Sequence, residues 1–155
     1  MKNSKIKETK IGCFNRKECE IDKFAKNNGN LIFDYTNRKE CSPGAKWFFR
    51  ETTKEKNKNK GCVLYTECVS VTKNTNVPKI IKKYSKSYSI LKDYKYQIVF
   101  RVIKCVYGVT KSTLEKNGLP KYHRTPISIS QNSQLMNYLE NELFVQIIQN
   151  NKRNI

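Results

Sequence analysis

The residues of this chain whose types and spacing could do chemistry are lysines and arginines interleaved with tyrosines between positions 73 and 124. That stretch holds 13 Lys and Arg against only Asp93 and Glu115, so its local net charge is +11. The whole chain of 155 residues carries +18, whereas residues 125–155 are neutral overall. A folded surface this positive repels itself unless a polyanion neutralises it. The clustering therefore predicts a nucleic-acid-binding surface rather than an active site.

The sequence contains none of the residue patterns that commonly support catalysis. A glycine-rich loop for phosphates, a carboxylate pair arranged for acid–base work and a serine nucleophile elbow are all missing. His123 is the single histidine and lies between Tyr122 and Arg124, with no cysteine or carboxylate adjacent to it. We therefore expect a protein that is not an enzyme and that uses no cofactor and no metal.

Six cysteines leave the redox state open. They are Cys13 and Cys19, Cys62 and Cys68, each pair with five residues between, and the separate Cys41 and Cys105. Zinc is not favoured, because its cysteine pairs usually enclose about two to four residues. Disulfides require an oxidising compartment, whereas the polar opening from Lys2 to Lys7 lacks the apolar region of a secretory signal. The pattern favours reduced thiols packed as small core side chains, with disulfides as the alternative.

The hydrophobic pattern predicts the elements that position these side chains. Segments of strand length and pattern fall at residues 5–14, 31–35, 62–71, 79–84, 94–100 and 126–130. One helix is predicted from Ser42-Pro43 through residue 60, with Ser as the cap and Pro in the first turn, and another over residues 102–114. The predicted fold is therefore α+β, with two related β-β-α-β halves side by side. Residues 1–73 form the first half and the strongly basic residues 74–131 form the second.

Residues 132–155 are predicted to form an amphipathic C-terminal helix. Its apolar side chains recur at i, i+3 and i+4, and they are Leu135, Met136, Leu139, Leu143, Phe144, Ile147 and Ile148. Asn132 or Ser133 is available as the N-cap. Such a stripe is typical of a helix packed on its own sheet, and docking on a partner is the alternative.

Four stretches of the chain, in order, carry a family resemblance. The first is Ala45-Lys46 with the aromatic triplet Trp47-Phe48-Phe49, a Lys-rich stretch and the Gly-led strand 61–65. Two others are the basic, Tyr-containing loop 83–87 with the strand start 91–95, and Tyr122-His123-Arg124 before residues 127–129. The last is residues 144–148 of the C-terminal helix. Together they resemble the eukaryotic large-subunit ribosomal protein family called L-eighteen-a or, in the newer naming, eL-twenty.

The resemblance implies a non-catalytic cytoplasmic protein of the ribosome, built from two related β-β-α-β halves. It would bind and brace large-subunit rRNA beside neighbouring ribosomal proteins, with no membrane and no small-molecule substrate. Lysines and arginines would contact phosphates, and tyrosine or histidine rings would stack on bases. The implied rRNA contacts are Lys46, Lys82, Lys83, Tyr84, Lys86, Lys92, Lys95, Arg101, Lys121, Tyr122, His123 and Arg124. The family's central-loop glycine and basic C-terminal extension are missing, as expected for a divergent, shortened member.

A second resemblance defines an alternative function. Cys13, Cys19, Cys41, Cys62 and Cys68, with the aromatic triplet before Gly61, are similar to a PAN/apple-type disulfide module. That resemblance implies a secreted domain that binds protein or glycosaminoglycan. It covers nothing after Val71 and requires a signal peptide that the sequence does not show. A count of reactive thiols separates the two alternatives.

Overall fold

The structure, a computed structural model, describes residues 7–14, 21–52, 61–121 and 126–144. Within these ranges the chain forms one curled, six-stranded mixed sheet with short helices. The predicted α+β class and the C-terminal helix are confirmed. Both predicted segments, 1–73 and 74–131, contribute strands to this one sheet.

The sheet joins strands that are distant along the chain. The strands are β1 (Lys10–Phe14), β2 (Leu31–Thr36), β3 (Lys46–Glu51), β4 (Val63–Lys73), β5 (Tyr96–Val106) and β6 (Ile127–Ser128). Their order across the sheet is β2-β5-β4-β3-β1-β6. Neighbours are antiparallel except β1 and β3, which are parallel, so β1 lies between β3 and the short β6. β4 and β5, with 11 residues each, form the centre of the sheet.

Short helices cover both faces of the sheet. They are α1 (Ile21–Lys26), a 3₁₀ helix (Lys79–Lys83), α2 (Tyr88–Leu91), α3 (Lys111–Lys116), α4 (Ser133–Tyr138) and a π-helical turn (Leu139–Leu143). Two starts are capped as the residue types favour. The Thr110 hydroxyl accepts a hydrogen bond from the Thr113 amide, and the Asn132 side chain accepts one from Leu135.

Two hydrophobic cores lie on opposite faces of the sheet, because side chains alternate along each strand. In β3, Trp47 and Phe49 enter the first core, whereas Phe48 enters the second. α1 and the segment before β5 cover the first core through residues such as Phe24 and Ile81. α3 and α4 cover the second core through residues such as Leu114 and Leu135.

The helix predicted from Ser42-Pro43 through residue 60 is wrong over residues 46–51. Residues 46–51 are strand β3, while residues 53–60 lie outside the described part. Ala45, Trp47, Phe48 and Phe49 are all buried as predicted. Because both faces of β3 are covered, its apolar residues are consecutive rather than alternating, and such a run cannot be distinguished from a buried helix by periodicity.

Two other predicted elements differ in the second half. The strand predicted over residues 79–84 is instead the 3₁₀ helix Lys79–Lys83, which follows Pro78, and Ile81 is its buried residue. The helix predicted over residues 102–114 is divided: β5 continues to Val106, and α3 begins only at Lys111. Gly108, at φ +84°, lies between them and ends the strand.

The order of elements also differs from two β-β-α-β halves. The first half has the order β1-α1-β2-β3-β4, and the second has two short helices, then β5-α3-β6. Because the interior helix of the first half is a strand, the duplication that the hydrophobic pattern indicated is not present in this order.

The described part of the C-terminal helix packs on its own sheet. Leu135, Leu139 and Phe144 are at most 1% exposed and belong to the second core. The Phe144 ring lies 5.6 Å from the rings of both Phe48 and Tyr65. The outcome for Ile147 and Ile148 lies outside the described residues.

Candidate polyanion interface

The most basic part of the described chain is residues 79–95, here called the lysine segment. It contains the 3₁₀ helix and α2, and five of its apolar or aromatic side chains pack against the first core, whereas Ile80 and Ile90 are exposed. These anchoring residues are Ile81, Tyr84, Tyr88, Leu91 and Tyr94. Because the apolar side chains face the sheet, the lysines between them face solvent.

Six lysines of this segment are exposed, and they are Lys79, Lys82, Lys83, Lys86, Lys92 and Lys95. Its one acidic residue is Asp93, so the net charge of these 17 residues is +5. Within the described ranges the ion pairs are those of Lys10, Lys46 and Lys111, and none involves the lysine segment. Its ammonium groups are thus available to an external anion.

Tyr84 of this segment, which the sequence analysis expected to contact RNA, makes contacts within the protein. The Tyr84 ring packs edge-on against Phe24, with 5.3 Å between ring centroids. Its hydroxyl accepts a hydrogen bond from the Asn27 side-chain amide at 3.1 Å. These contacts attach the segment to α1, and they leave Tyr84 half-buried rather than projecting as a platform for a base.

The predicted contacts are divided between the two faces of the sheet. Phe100 enters the first core, so its neighbour Arg101 projects from the opposite face. Lys46 lies on that same face and forms an ion pair with Glu67, which is also the residue opposite Arg101 in the sheet. Lys82, Lys83, Lys86, Lys92 and Lys95 therefore share one segment, while Lys46 and Arg101 do not belong to it.

The remaining predicted contacts follow α3. Lys121 is exposed and comes two residues after Leu119, which is buried in the second core. Tyr122, His123 and Arg124 lie outside the described residues.

Four of the five described cysteines form two sulfur–sulfur contacts. The Cys41 and Cys68 Sγ atoms are 3.5 Å apart, and those of Cys62 and Cys105 are 3.0 Å apart. Cys41, Cys62 and Cys68 are at most 2% exposed, whereas Cys105 is partly exposed. Both contacts lie at the first core.

The backbone fixes both pairs. The Cys68 amide donates to the Ala45 carbonyl at 2.8 Å, and Gly44 donates to the Cys68 carbonyl at 2.9 Å. The turn after Cys41 is thereby held against β4. Cys105 lies opposite Leu64, so Cys62 is its diagonal neighbour on the same face.

Hydrogen bonding within each pair lowers the pKa of one of its two thiols. The Cys41 thiol donates to Cys68, which lowers the pKa of Cys68, while that bond and burial raise the pKa of Cys41. The hydrogen bond with Cys62 likewise lowers the pKa of Cys105. A lowered pKa increases the thiolate fraction, which is the reactive form of cysteine.

A cleft of about 310 Å³ lies between β2 and the lysine segment. Its walls are mainly apolar, with Ile32, Ile81 and Leu91 among them, but Asp34 also faces it. Burial raises the pKa of the Asp34 carboxyl to about 6, although a hydrogen bond from the Tyr35 amide opposes the shift. This carboxylate has no ion-pair partner within the described ranges.

Sequence reasoning missed the two sulfur contacts and the position of Asp34. One signal was available for the cysteines. Cys62 and Cys68 lie on a predicted strand with an even spacing, so they share a face but are about 20 Å apart. Each therefore needs a partner on another part of the chain. No comparable signal existed for Asp34, because its surroundings come from segments distant in sequence.

Two structural searches of the described residues gave negative results. No group of three or more His, Cys, Asp or Glu side chains is placed to hold a metal ion in these ranges. None of the helices in the described part is long and apolar enough to cross a membrane.

The comparisons with known proteins found no matching family model, no matching curated protein and no matching solved structure.

Proposed function

We propose that this chain is a non-catalytic protein that binds a polyanion through the lysine segment. The observation that carries the proposal is the set of six exposed lysines on a short segment that three half-buried tyrosines and two apolar residues anchor to the core. Each lysine that meets a phosphate or sulfate releases condensed counterions, which gives affinity without sequence recognition. Anchoring keeps the charges in place, so less conformational entropy is lost on binding.

The first candidate polyanion is large-subunit rRNA, with the chain as a structural constituent of the ribosome. The sequence resemblance and the clustered lysines support this candidate. The element order does not, because the family resemblance implied two β-β-α-β halves whereas the chain forms one sheet with a different order. Lys82, Lys83, Lys86, Lys92 and Lys95 remain the proposed contacts from the lysine segment.

The second candidate is an extracellular binding module whose polyanion is a sulfated polysaccharide. The specific observation in its favour is the pair of sulfur contacts, because four cysteines meet two by two across the first core. Closely paired cysteines are typical of proteins folded in an oxidising compartment. The cysteine geometry therefore favours this second candidate over the ribosomal one.

Sedimentation of a lysate from the source cells separates the candidates. A ribosomal constituent co-migrates with large subunits and polysomes, and it remains there at high salt. Loss from those fractions at high salt indicates a basic protein that binds RNA non-specifically. Recovery from the medium or the secretory fraction instead supports the extracellular module and contradicts the ribosomal role.

The lysine segment itself is tested with two variants of equal net charge. Lys82, Lys83 and Lys86 are changed to Gln in one, and the ion-paired Lys10, Lys46 and Lys111 in the other, so both carry +15 instead of +18. We expect the first variant to lose affinity for rRNA fragments and for heparin. Its plot of log K against log salt should also be shallower by roughly 2–3, because about 0.9 counterion is released per contact.

The second variant should bind nearly as well as the original chain. Equal losses in the two variants would mean that only overall charge matters and would contradict a localised interface. Far-ultraviolet circular dichroism of both variants shows whether a loss of binding reflects unfolding.

A further inference from the structure

We infer that Cys41–Cys68 and Cys62–Cys105 are disulfide bonds in the mature protein. In both pairs the sulfurs are already in contact, at 3.5 Å and 3.0 Å. A disulfide needs about 2.05 Å between the sulfur atoms. The remaining separation to be closed is therefore about 1–1.5 Å in each pair.

The positions of the cysteines exclude the pairing that their spacing first indicates. Cys62 immediately precedes β4 and Cys68 lies six residues further along the same extended segment, so they are about 20 Å apart and cannot bond to each other. Each instead meets a cysteine from a different part of the chain. Cys41 comes from the turn before β3, and Cys105 comes from β5.

The two bonds would fix the start and the middle of β4 on its first-core side. Cys41–Cys68 holds the turn before β3 against the middle of β4 and closes a loop of 27 residues. Cys62–Cys105 joins the start of β4 to β5 and spans 43 residues. Closing loops of this length restricts the unfolded chain, which is how disulfides stabilise small extracellular domains.

The bond-forming step requires a low-molecular-weight disulfide such as glutathione disulfide. One protein thiolate attacks it and releases one glutathione thiol, forming a mixed disulfide. The second protein thiolate then attacks the protein sulfur of that mixed disulfide and displaces the other glutathione thiol. The two protein thiols together lose two protons and two electrons, and the small disulfide is reduced to two thiols.

The linkage can be mapped directly on the full chain. The chain is refolded in a glutathione redox buffer, remaining thiols are blocked with N-ethylmaleimide, and the product is digested with trypsin. Trypsin leaves Cys62 and Cys68 together in peptide 61–73, but a protease specific for glutamate cuts after Glu67 and separates them. Mass spectrometry before and after reduction then identifies which peptides are joined.

We expect peptide 41–46 joined to 68–73, and peptide 61–67 joined to 105–111. The opposite arrangement, with 41–46 joined to 61–67, would overturn the inference. So would recovery of these four peptides with all four thiols blocked. The same digestion of protein taken from its source, alkylated at once, tests whether the bonds exist there.

Three variants sharpen the assignment. Cys41→Ser should abolish only the first linkage, and Cys105→Ser only the second, while Cys13→Ser should leave both. Each of the first two should lower the melting temperature by roughly 5–15 °C in the oxidised protein. After reduction with a phosphine, the melting temperatures of these two variants and of the original chain should lie close together. A variant that fails to fold does not affect the linkage map of the unchanged chain.

This inference does not depend on polyanion binding. Linkages found without binding to heparin or rRNA would leave the disulfides in place and remove the proposed function. Binding to heparin or rRNA by a protein whose thiols are all free would support the proposed function and remove the disulfides.

Discussion

At the scale of single residues, Asp34 is a carboxyl group whose surroundings disfavour its charged form. It extends from β2 on the same face as Ile32, opposite Ile98, which is fully buried. The cleft around it is largely apolar, so the charged form is poorly solvated and the pKa rises from 3.8 to about 6. The folded protein therefore binds this proton more tightly than the unfolded chain does.

The first prediction follows from that shift. Since the folded state holds more protons between about pH 4 and pH 6, the Asp34 contribution to the free energy of unfolding falls as the pH rises through this window. Asp34→Asn should therefore stabilise the protein at pH 7.5 by about 1–3 kcal/mol, and the gain should disappear near pH 4. Urea unfolding at several pH values measures it.

The control for Asp34 is Asp93→Asn, because Asp93 is exposed on the lysine segment. This exposed change should alter stability by less than about 0.5 kcal/mol. A destabilised Asp34→Asn protein at pH 7.5 would mean that the carboxylate has a favourable partner in solution.

At the scale of elements, the C-terminal helix shows what a sequence pattern can establish. Within the described residues the i, i+3, i+4 stripe correctly predicted the inward side chains up to Phe144, and the cap at Asn132 is confirmed. The pattern did not predict the π-helical turn at Leu139–Leu143, which brings Phe144 against Phe48 and Tyr65. That turn depends on the shape of the sheet surface, which sequence periodicity does not describe.

The second prediction concerns this helix. Leu139 is fully buried in the second core, so Leu139→Ala should lower the free energy of unfolding by about 2–5 kcal/mol through lost contacts and a cavity. The exposed Asn141→Ala in the neighbouring turn should cost less than about 0.5 kcal/mol. Similar, small effects of both changes in urea titrations would contradict packing of this helix on its own sheet.

Strand β3 shows why part of the fold could not be predicted. Its burial was predicted correctly, but its conformation was not, because both faces are covered and the residues Trp47, Phe48 and Phe49 carry no periodicity. Part of the candidate interface could not be predicted from the sequence either. Charge clustering located the lysine segment, whereas the pairing of Lys46 with Glu67 depends on the register between β3 and β4.

At the scale of the whole molecule, charge is the dominant property. With +18 on 155 residues, repulsion among like charges opposes the compact state. At 0.1 M salt the Debye length is about 10 Å, so repulsion between charges that are farther apart than this is largely screened. The molecule should therefore be more stable at physiological ionic strength than in dilute buffer.

The third prediction is a rise of the melting temperature by roughly 5 °C between 10 mM and 300 mM sodium chloride. The variant with Lys82, Lys83 and Lys86 changed to Gln should show a smaller rise, since part of the repulsion has been removed. Differential scanning calorimetry measures both proteins, and a melting temperature that falls with salt would mean that attractive ion pairs dominate.

The position of β1 between β3 and β6 also orders the events of folding during synthesis. β3 and β4 are the first antiparallel neighbours to be completed along the chain, so they can pair as soon as residue 73 has been made, and β5 pairs with β4 later. β2 must wait for β5, and β1 has its second neighbour only after Ser128. We expect the growing chain to form the central hairpin first, with Cys41 beside Cys68, and to complete its two outer edges late.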